Sequence, residues 1–572
     1  MANLSRKTLT LAAGLVLSVM SANAQQMREG YVDFGKNISS EKFHTLIQSW
    51  TPGSQISADD NFFISRVKPR VRFRNEATQV RLDLNAKNDK KLIAWIPVGN
   101  SDFNALPNGV FDSEVFSMWS YVTHWGNWTS PVGRIPAAFL DIAHKNGVAV
   151  SGVASIPNTT LSKVPEWKAM LQGLGSMDVD KAAKFFQYYG INGIGYNSEF
   201  YNGSSVVKGV RNFHAALVKK MKPVDPVFEN FWYDGTNDYG NCLFDQGLQA
   251  SNKETFGDSE NVRTSLFFNY NWNNGQLGPS VTYAENNLKR DPLDLYCGVN
   301  MQGGEPKGTS WPLLVDKRVS IGLWGAHSQN MFWESRAELG SSDEMKQFAY
   351  LRRTECYFGG GNRNPVITPE IKSFHQYSAY NPNWFGMAAF MTARSPLSWD
   401  LAEEPFITYF NLGNGKFFNL NGERKVSSPW YNVGMQDYLP TWHFWFADKL
   451  LGRTAADVPA TGLDAQFVWD DAYFGGSTLK ISGTTANEYL HLFKTKYALK
   501  KGDVITVRYK LNEGATDLDL VLSAEGSEGT GVAYNLCKTD RVADVNGWVK
   551  QTFTVGSDFD GKTLALVALN FK

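Results

Sequence analysis

Eight short apolar runs, most followed by a polar loop and a helix-like segment, restrict what this chain can fold into. They span residues 92–98 (LIAWIPV), 121–126 (YVTHWG), 148–155 (VAVSGVAS), 191–196 (INGIGY), 227–233 (VFENFWY), 265–270 (SLFFNY), 293–299 (LDLYCGV) and 320–325 (SIGLWG). Two intervening segments carry clear helix punctuation: PAAFLDIAHKNG has Pro136 at its start and Gly147 as its stop, and VDKAAKFFQYYG ends at Gly190. Strands that are apolar throughout and alternate with helices belong to a parallel sheet covered on both faces, and eight such units predict a (β/α)₈ barrel. An open doubly wound sheet is the alternative, although no glycine-rich phosphate fingerprint follows the early strands. Upstream, RVKPRVRFR over residues 66–74 alternates Arg with apolar residues and reads as an edge strand or hairpin with its charges in solvent.

Beyond about Gly359 the alternation of strand and helix fades. From Glu404 the chain is rich in Gly, Asn and short strands, and FVWDDAYFGGSTLKISG, YLHLFKTKYAL, DVITVRYKL, LDLVLSA and LALVALNF read as β-sandwich. The expected organisation is a signal peptide over 1–24, the barrel with an N-terminal extension over 25–358, a linker and first β-sandwich region over 359–460, and a C-terminal β-sandwich over 461–572. The signal peptide is read from Arg6 and Lys7, the apolar run Leu9 to Met20, and Ala22-Asn23-Ala24, with cleavage after Ala24. The run is too short for a comfortable membrane span, so the mature protein is expected to be exported, to the periplasm, cell surface or medium, with no integral membrane segment.

Lys plus Arg equals Asp plus Glu at 56 each, so no basic surplus favours nucleic acid as a partner. Cys242, Cys297, Cys356 and Cys537 lie too far apart for a zinc site and are expected to be free buried thiols. His124, His144 and His327 show no metal-ligand spacing and read as structural or surface residues, so neither metal nor cofactor is expected.

In a barrel of this kind the active site lies at the C-terminal ends of the strands. There the fourth strand offers Asn197 and Glu199, two residues apart and hence on one face. The neighbouring strand ends offer Tyr233, Asp234, Asn237 and Asp238, then Asn269, Tyr270 and Trp272, then Asn300 and Gln302, then Trp324 and His327. An acid, several amides and many rings suit a sugar site. Glycoside hydrolysis ordinarily uses two carboxyl groups, whereas here an amide stands beside Glu199. A substrate with a 2-acetamido group supplies its own nucleophile, leaving the protein to orient that amide and provide one acid/base. A conventional retaining pair of Glu199 with Asp234 or Glu305, and a glycan-binding surface protein without activity, both stay open.

The stretches NGIGYNSEF, NFWYDGTNDYG, FFNYNW, LYCGVNMQGG and IPAAFLDIAHKNGVAVSG resemble glycoside hydrolase family 85, and the similarity continues through FNLGNGKFFNLNGERKVSSPWYNVGMQDYLPTWHFWF. The resemblance implies an endo-β-N-acetylglucosaminidase that cleaves the β-1,4 bond between the two N-acetylglucosamines of N-glycan cores on glycoproteins, with retention. By position, Glu199 resembles the family's general acid/base, Asn197 its oxazoline-stabilising amide and Tyr233 its site tyrosine. Trp125, Phe244, Asn269, Tyr270, Trp272, Asn300 and Trp324 are then the expected sugar contacts. Two departures stand out: Phe244 where the family usually has Trp, and Asn300 where it usually has an acid.

Overall fold

The computed structural model describes residues 40–56, 60–73, 90–96, 115–128, 130–301, 309–325, 343–373, 381–399, 405–451, 462–539 and 541–572. Eight strands close into a parallel barrel in sequence order: β1 (Leu92–Trp95), β2 (His124–Asn127), β3 (Ala149–Thr160), β4 (Ile194–Tyr201), β5 (Phe231–Tyr233), β6 (Ser265–Phe268), β7 (Leu295–Asn300) and β8 (Ser320–Trp324), which pairs back to β1. Each of the eight expected runs contains one of these strands, and the open sheet is excluded by closure. The predicted helix starts and stops also hold. Helix α1 (Ala137–Lys145) follows Pro136 and is terminated by Gly147 at φ 70°. In α2 (Val179–Tyr189), Asp178 accepts from the backbone N–H groups of Asp180 and Lys181, and Gly190 closes the far end at φ 77°.

Alternation along the strands separates two cores. One face packs outward against the helices in a cluster that includes Leu92, Ala94, Trp125, Val150, Trp232 and Leu266. The other fills the lumen with Ile93, Trp95, Val153, Phe231, Phe267 and Tyr296. The lumen rings fit because glycine stands opposite them. A Cβ at Gly126 would lie 1.7 Å from Trp95 Cε3, one at Gly195 1.9 Å from Trp95 Cη2, and one at Gly322 2.2 Å from Phe267 Cε2. At the N-terminal end of the barrel a charged network closes the lumen: Lys91 Nζ lies 3.3 Å from Glu229 Oε1 and 2.7 Å from Asp294 Oδ1, and Arg290 Nη2 lies 2.6 Å from Asp294 Oδ2.

The Arg-rich run 66–74 departs from expectation. Over residues 66–73 it forms no hairpin and makes a single isolated bridge, Phe73 with Ser395; Arg74 lies outside the described residues. Pro69 interrupts the donor pattern a strand needs, and Arg72 turns inward to donate to the carbonyl of Trp119 at 3.1 Å. Of the cysteines, all four are free, with Cys242, Cys297 and Cys356 buried and Cys537 half-buried.

After helix α3 (Asp343–Gly359) the chain becomes β-rich. Ser398–Trp399, Trp445–Ala447, Glu488–Ala498, Leu518–Ala524, Val532–Asn535 and Thr563–Phe571 form one sheet, so strands from both sides of residue 460 share it. A three-stranded sheet built on Val504–Tyr509 and Val549–Thr554 packs over the same core, with Leu490, Leu520 and Phe553 between them. Gln436, fully buried, fastens this part to the barrel. Its Oε1 accepts from Trp119 Nε1 at 2.8 Å, and its Nε2 donates to the carbonyls of Phe116 and Leu412, both at 3.2 Å.

The glycine–ring contacts give the first prediction. Gly126→Ala forces Trp95 from its seat and is expected to cost about 2 kcal/mol in denaturant unfolding. In the Trp95→Leu background the same substitution is expected to cost much less, and equal costs in both backgrounds would show that the contact does not set the packing.

Candidate active site

The C-terminal end of the barrel holds a half-open cavity lined by Trp95, Trp128, Val153, Gly195, Tyr196, Asn197, Phe231, Tyr233, Phe267, Tyr270 and Trp324. Its wall is a chain of rings. Trp128 meets Trp324 edge-on at 5.5 Å, Trp324 meets Tyr270 at 5.9 Å, Tyr270 meets Tyr233 at 6.3 Å, and Tyr233 meets Phe244 at 5.8 Å. Trp95 forms the floor. The wall is interrupted on the β3–β4 side, where Val153, Gly195 and Asn197 line the cavity.

Both strands run past the barrel rim on that side. Their pairing continues to Thr160 and Tyr201 with a register shift between Ile156 and Thr159, leaving Pro157 and Asn158 opposite Glu199. Such a bulge re-aims the side chain it faces. Asn197 Nδ2 donates to Glu199 Oε2 at 3.2 Å, and both side chains are half-buried on one face. Glu199 stands at the rim, one step above the lining residues. Burial raises its carboxyl above the ordinary glutamate range, partly offset by the Asn197 amide that donates to it.

Tyr233 is held from the side. Asn269 Nδ2 donates to Tyr233 Oη at 2.9 Å, and burial raises the phenols of both Tyr233 and Tyr270, so both remain protonated. Of the residues expected to contact sugar, Tyr270 and Trp324 line the cavity, Phe244 caps Tyr233 at the rim, and Asn269 supports Tyr233. Asn300 ends β7 half-buried, in register with Trp324.

Two of the expected contacts are corrected. Trp125 is fully buried on the outward face of β2, packed on Phe116 and Phe139, with Nε1 donating to the carbonyl of Ile96 at 3.0 Å. Trp272 is 3% exposed and donates to the carbonyl of Gly298 at 2.8 Å, ahead of the capping box in which Asn273 and Gln276 open the helix Asn274–Thr282. Neither indole reaches the cavity. The rings that do, and that the sequence reading missed, are Trp95, Trp128, Phe231 and Phe267. A signal for them existed: His124, Gly126 and Trp128 share one strand face, and a glycine on that face marks the crowded lumen side.

Asp234 does not face the cavity. It is 5% exposed, and its carboxylate accepts from the backbone N–H of Asp245 at 3.1 Å and of Gln246 at 2.5 Å. Asn237 and Asp238 are turn residues as well. Asn237 Oδ1 accepts from the N–H of Tyr239, and Asp238 accepts from the N–H groups of Glu254 and Thr255. The histidine reading holds for two of three. His124 is buried in the lumen beside Phe231 and bonds Ser151 Oγ, and His144 is buried against Val67 O and Asn192 Oδ1. His327, Gln302 and Glu305 lie outside the described residues. Among the described residues no group of three His, Cys, Asp or Glu side chains is arranged to hold a metal ion, and no helix is long and apolar enough to cross a membrane.

A closed parallel barrel carrying a ring-walled cleft and an amide–carboxyl pair toward the C-terminal rim has the form of a barrel enzyme with its site at the strand ends, and its rings and polar groups suit a sugar. The model of glycosyl hydrolase family 85 matches residues 100–418, more than half of the chain, and the chain belongs to that family of hydrolases. It is similar to the cytosolic endo-beta-N-acetylglucosaminidase 2 of Arabidopsis thaliana, 22% identical over 422 residues that cover 68% of this chain and 52% of that protein. The cytosolic endo-beta-N-acetylglucosaminidase of Homo sapiens is 21% identical over 430 residues, covering 73% of this chain and 49% of that protein. The chain thus spans about half the length of the curated relatives it matches. Among solved structures, the glycoside hydrolase domain of Endo-D from Streptococcus pneumoniae R6 superposes with a TM-score of 0.75 at 21% identity, covering 92% of this chain and 78% of that one, a likeness of fold.

The electrostatics of Glu199 generate a stability prediction. A carboxyl whose folded-state pKa is raised contributes stability that is present below the unfolded pKa and lost as pH rises through the folded one. Glu199→Gln is neutral throughout, so it is expected to melt above the wild type at about pH 7, with the difference closing by about pH 4. A wild-type protein that melts higher at the upper pH would show that the carboxylate is not destabilised in place.

Proposed function

We propose that this chain is an endo-β-N-acetylglucosaminidase that hydrolyses the GlcNAc-β1,4-GlcNAc bond of N-glycan cores by substrate-assisted, retaining catalysis. The observation that carries the reading is the pairing of Asn197 with a half-buried Glu199, whose carboxyl burial raises above the ordinary glutamate range, beside the ring-walled cleft. In this reading Glu199 protonates the glycosidic oxygen while the substrate's acetamido oxygen attacks the anomeric carbon. Asn197 orients that acetamide and stabilises the charge it gains on becoming an oxazolinium. The Glu199 carboxylate then draws a proton from water as it opens the oxazolinium from the same face the leaving group left, so two inversions give net retention. Tyr233, protonated and fixed by Asn269, donates at the same site, and the floor and wall of rings exclude bulk water. Family membership supports the reaction class, and the names of the relatives from Arabidopsis thaliana and Homo sapiens support the bond. The second carboxylate of a conventional retaining mechanism is not supplied by Asp234, whose oxygens are turned to the backbone of Asp245 and Gln246.

Export belongs to the same proposal. It rests on Arg6 and Lys7, the apolar run after them and the Ala22-Asn23-Ala24 cleavage site. The relatives from Arabidopsis thaliana and Homo sapiens are named as cytosolic proteins, so the chain would act on glycans in a different compartment. Intact mass of the protein recovered from its native host checks this: a mature chain beginning at Gln25 is expected, and one retaining residues 1–24 would overturn it.

Glu199→Gln is expected to abolish release of N-glycans from a glycoprotein, read as retention of full glycoprotein mass; unchanged turnover would remove Glu199 from the mechanism. Asn197→Ala is expected to slow hydrolysis by about 100-fold or more yet still use a preformed sugar oxazoline as donor, because the step it assists is already complete. An equal loss in both reactions would assign Asn197 to general binding.

A further inference from the structure

The buried carboxylate next to Tyr233 takes no part in the chemistry above, yet it is tied to a stretch of the rim whose backbone is held in an unfavourable conformation at two closely spaced residues. Phe244 and Gln246, neither of them glycine, sit at φ 52° and φ 59°. Left-handed backbone at two non-glycine residues within three positions costs on the order of 1–2 kcal/mol each and persists only where surrounding bonds impose it. Those bonds converge on Asp234, whose two oxygens take the N–H groups of Asp245 and Gln246 separately. Its own N–H is fixed to the carbonyl of Phe267 at 2.9 Å, so the carboxylate is anchored to the barrel. The turn is tied further by Leu243 N–H to the carbonyl of Gly235 at 2.8 Å and by Ser251 Oγ to Asp245 Oδ2 at 2.6 Å. Its product is the position of the Phe244 ring, 5.8 Å from the Tyr233 ring and at 63° to it.

The same loop is bonded to the strand that carries Glu199. Thr236 N–H donates to the carbonyl of Ser198 at 2.8 Å, and Thr236 Oγ1 accepts from the N–H of Phe200 at 2.8 Å. A general acid stands beside the leaving oxygen, so the loop that flanks it borders the leaving-group half of the cleft.

We infer that Asp234 is a positioning residue: it clamps the Asp245–Gln246 turn so that Phe244 is presented to the leaving-group half of the site, and neither donates nor accepts a proton in the reaction. The inference rests on the function proposed above for the location of the leaving group, and on the geometry alone for the clamp. Burial and the neighbouring Asp245 hold the Asp234 carboxyl well above the usual range, with the backbone donors opposing them. In either protonation state it offers two accepting oxygens, which an asparagine does not.

Asp234→Asn leaves one acceptor and sets an N–H₂ against a backbone N–H. For a glycoprotein substrate KM is expected to rise about ten-fold with a smaller change in kcat. Hydrolysis of a preformed sugar oxazoline, which has no leaving sugar to seat, is expected to stay within about two-fold of wild type. The basic limb of the pH profile is expected to stay where Glu199 sets it. Adding Gln246→Gly to Asp234→Asn relieves the left-handed strain and is expected to restore most of the KM. Equal loss in both reactions, a shifted pH limb, or no change in KM would each overturn the inference. If Asp234→Asn fails to fold, Phe244→Ala is expected to give the same selective rise in KM, and its absence would overturn the inference. Amide hydrogen exchange separates the clamp from the proposed function. Asp245 and Gln246 are expected to lose protection in Asp234→Asn even if the wild type leaves the glycoprotein intact, and unchanged protection would overturn the clamp.

Discussion

The site depends on one contact, the Trp95 ring lying across Gly126 on one neighbouring strand and reaching Gly195 three strands away. A barrel of eight strands has a lumen that side chains fill, and a cleft exists at its mouth only to the depth at which that filling stops. Trp95 and Phe267 complete the packing at a single level, and they do so because Gly126, Gly195, Gly298 and Gly322 each give up a side chain there. Below the rings, Lys91, Glu229, Asp294 and Arg290 close the far end with charge paired to charge. Above them stand the rings of Trp128, Tyr233, Tyr270 and Trp324, and at the rim the partial burial of Glu199 raises its carboxyl.

Much of this was legible from residue order. The eight continuous apolar runs alternating with helices specified a parallel sheet covered on both faces, and their number pointed to the barrel, which closure then decided over an open sheet; Asn197 with Glu199 could be placed on one face from their spacing alone. What failed was parity. Trp125 and Trp128 lie three apart and therefore point to opposite sides of the chain, and the local signal for which side is the lumen is Gly126, whose meaning becomes plain only from the register that sets it opposite Trp95 of β1. Trp272 failed for a related reason, since its segment leaves the barrel at once and turns its indole back into the wall. The run at 66–74 failed because alternation suggests a strand only when an edge is available to pair with, and around Pro69 the backbone follows the end of α1 instead, Arg70 N–H bonding to the carbonyl of His144. The turn that seats Phe244 was not readable at all: its conformation is imposed from Asp234, ten residues earlier, on residues that would not choose it.

The two sides of the cleft are built on different terms. The aromatic wall is assembled from rings on separate strands, each touching the next, so its shape is shared among many contacts. The polar side depends on an extension of just two strands beyond the rim, with a bulge that sets the angle of one carboxyl. Replacing a wall residue changes a volume; altering the bulge at Pro157 and Asn158 would change a direction, and proton transfer is the more sensitive of the two to direction.

Gln436 gives the β-rich half of the chain a meaning beyond attachment. A side-chain amide buried in this way satisfies an indole and two carbonyls that belong to two segments far apart in the chain, Phe116 with Trp119 in the barrel's outer layer and Leu412 after it. Were the chain ended after the last barrel helix, Trp119 Nε1 and the carbonyl of Phe116 would lose these partners, and the rings packed beside them would be opened to water. The barrel of this protein is therefore not a unit that evolution or a designer can cut out and reuse. Its outer wall on that side is supplied by the sequence that follows it.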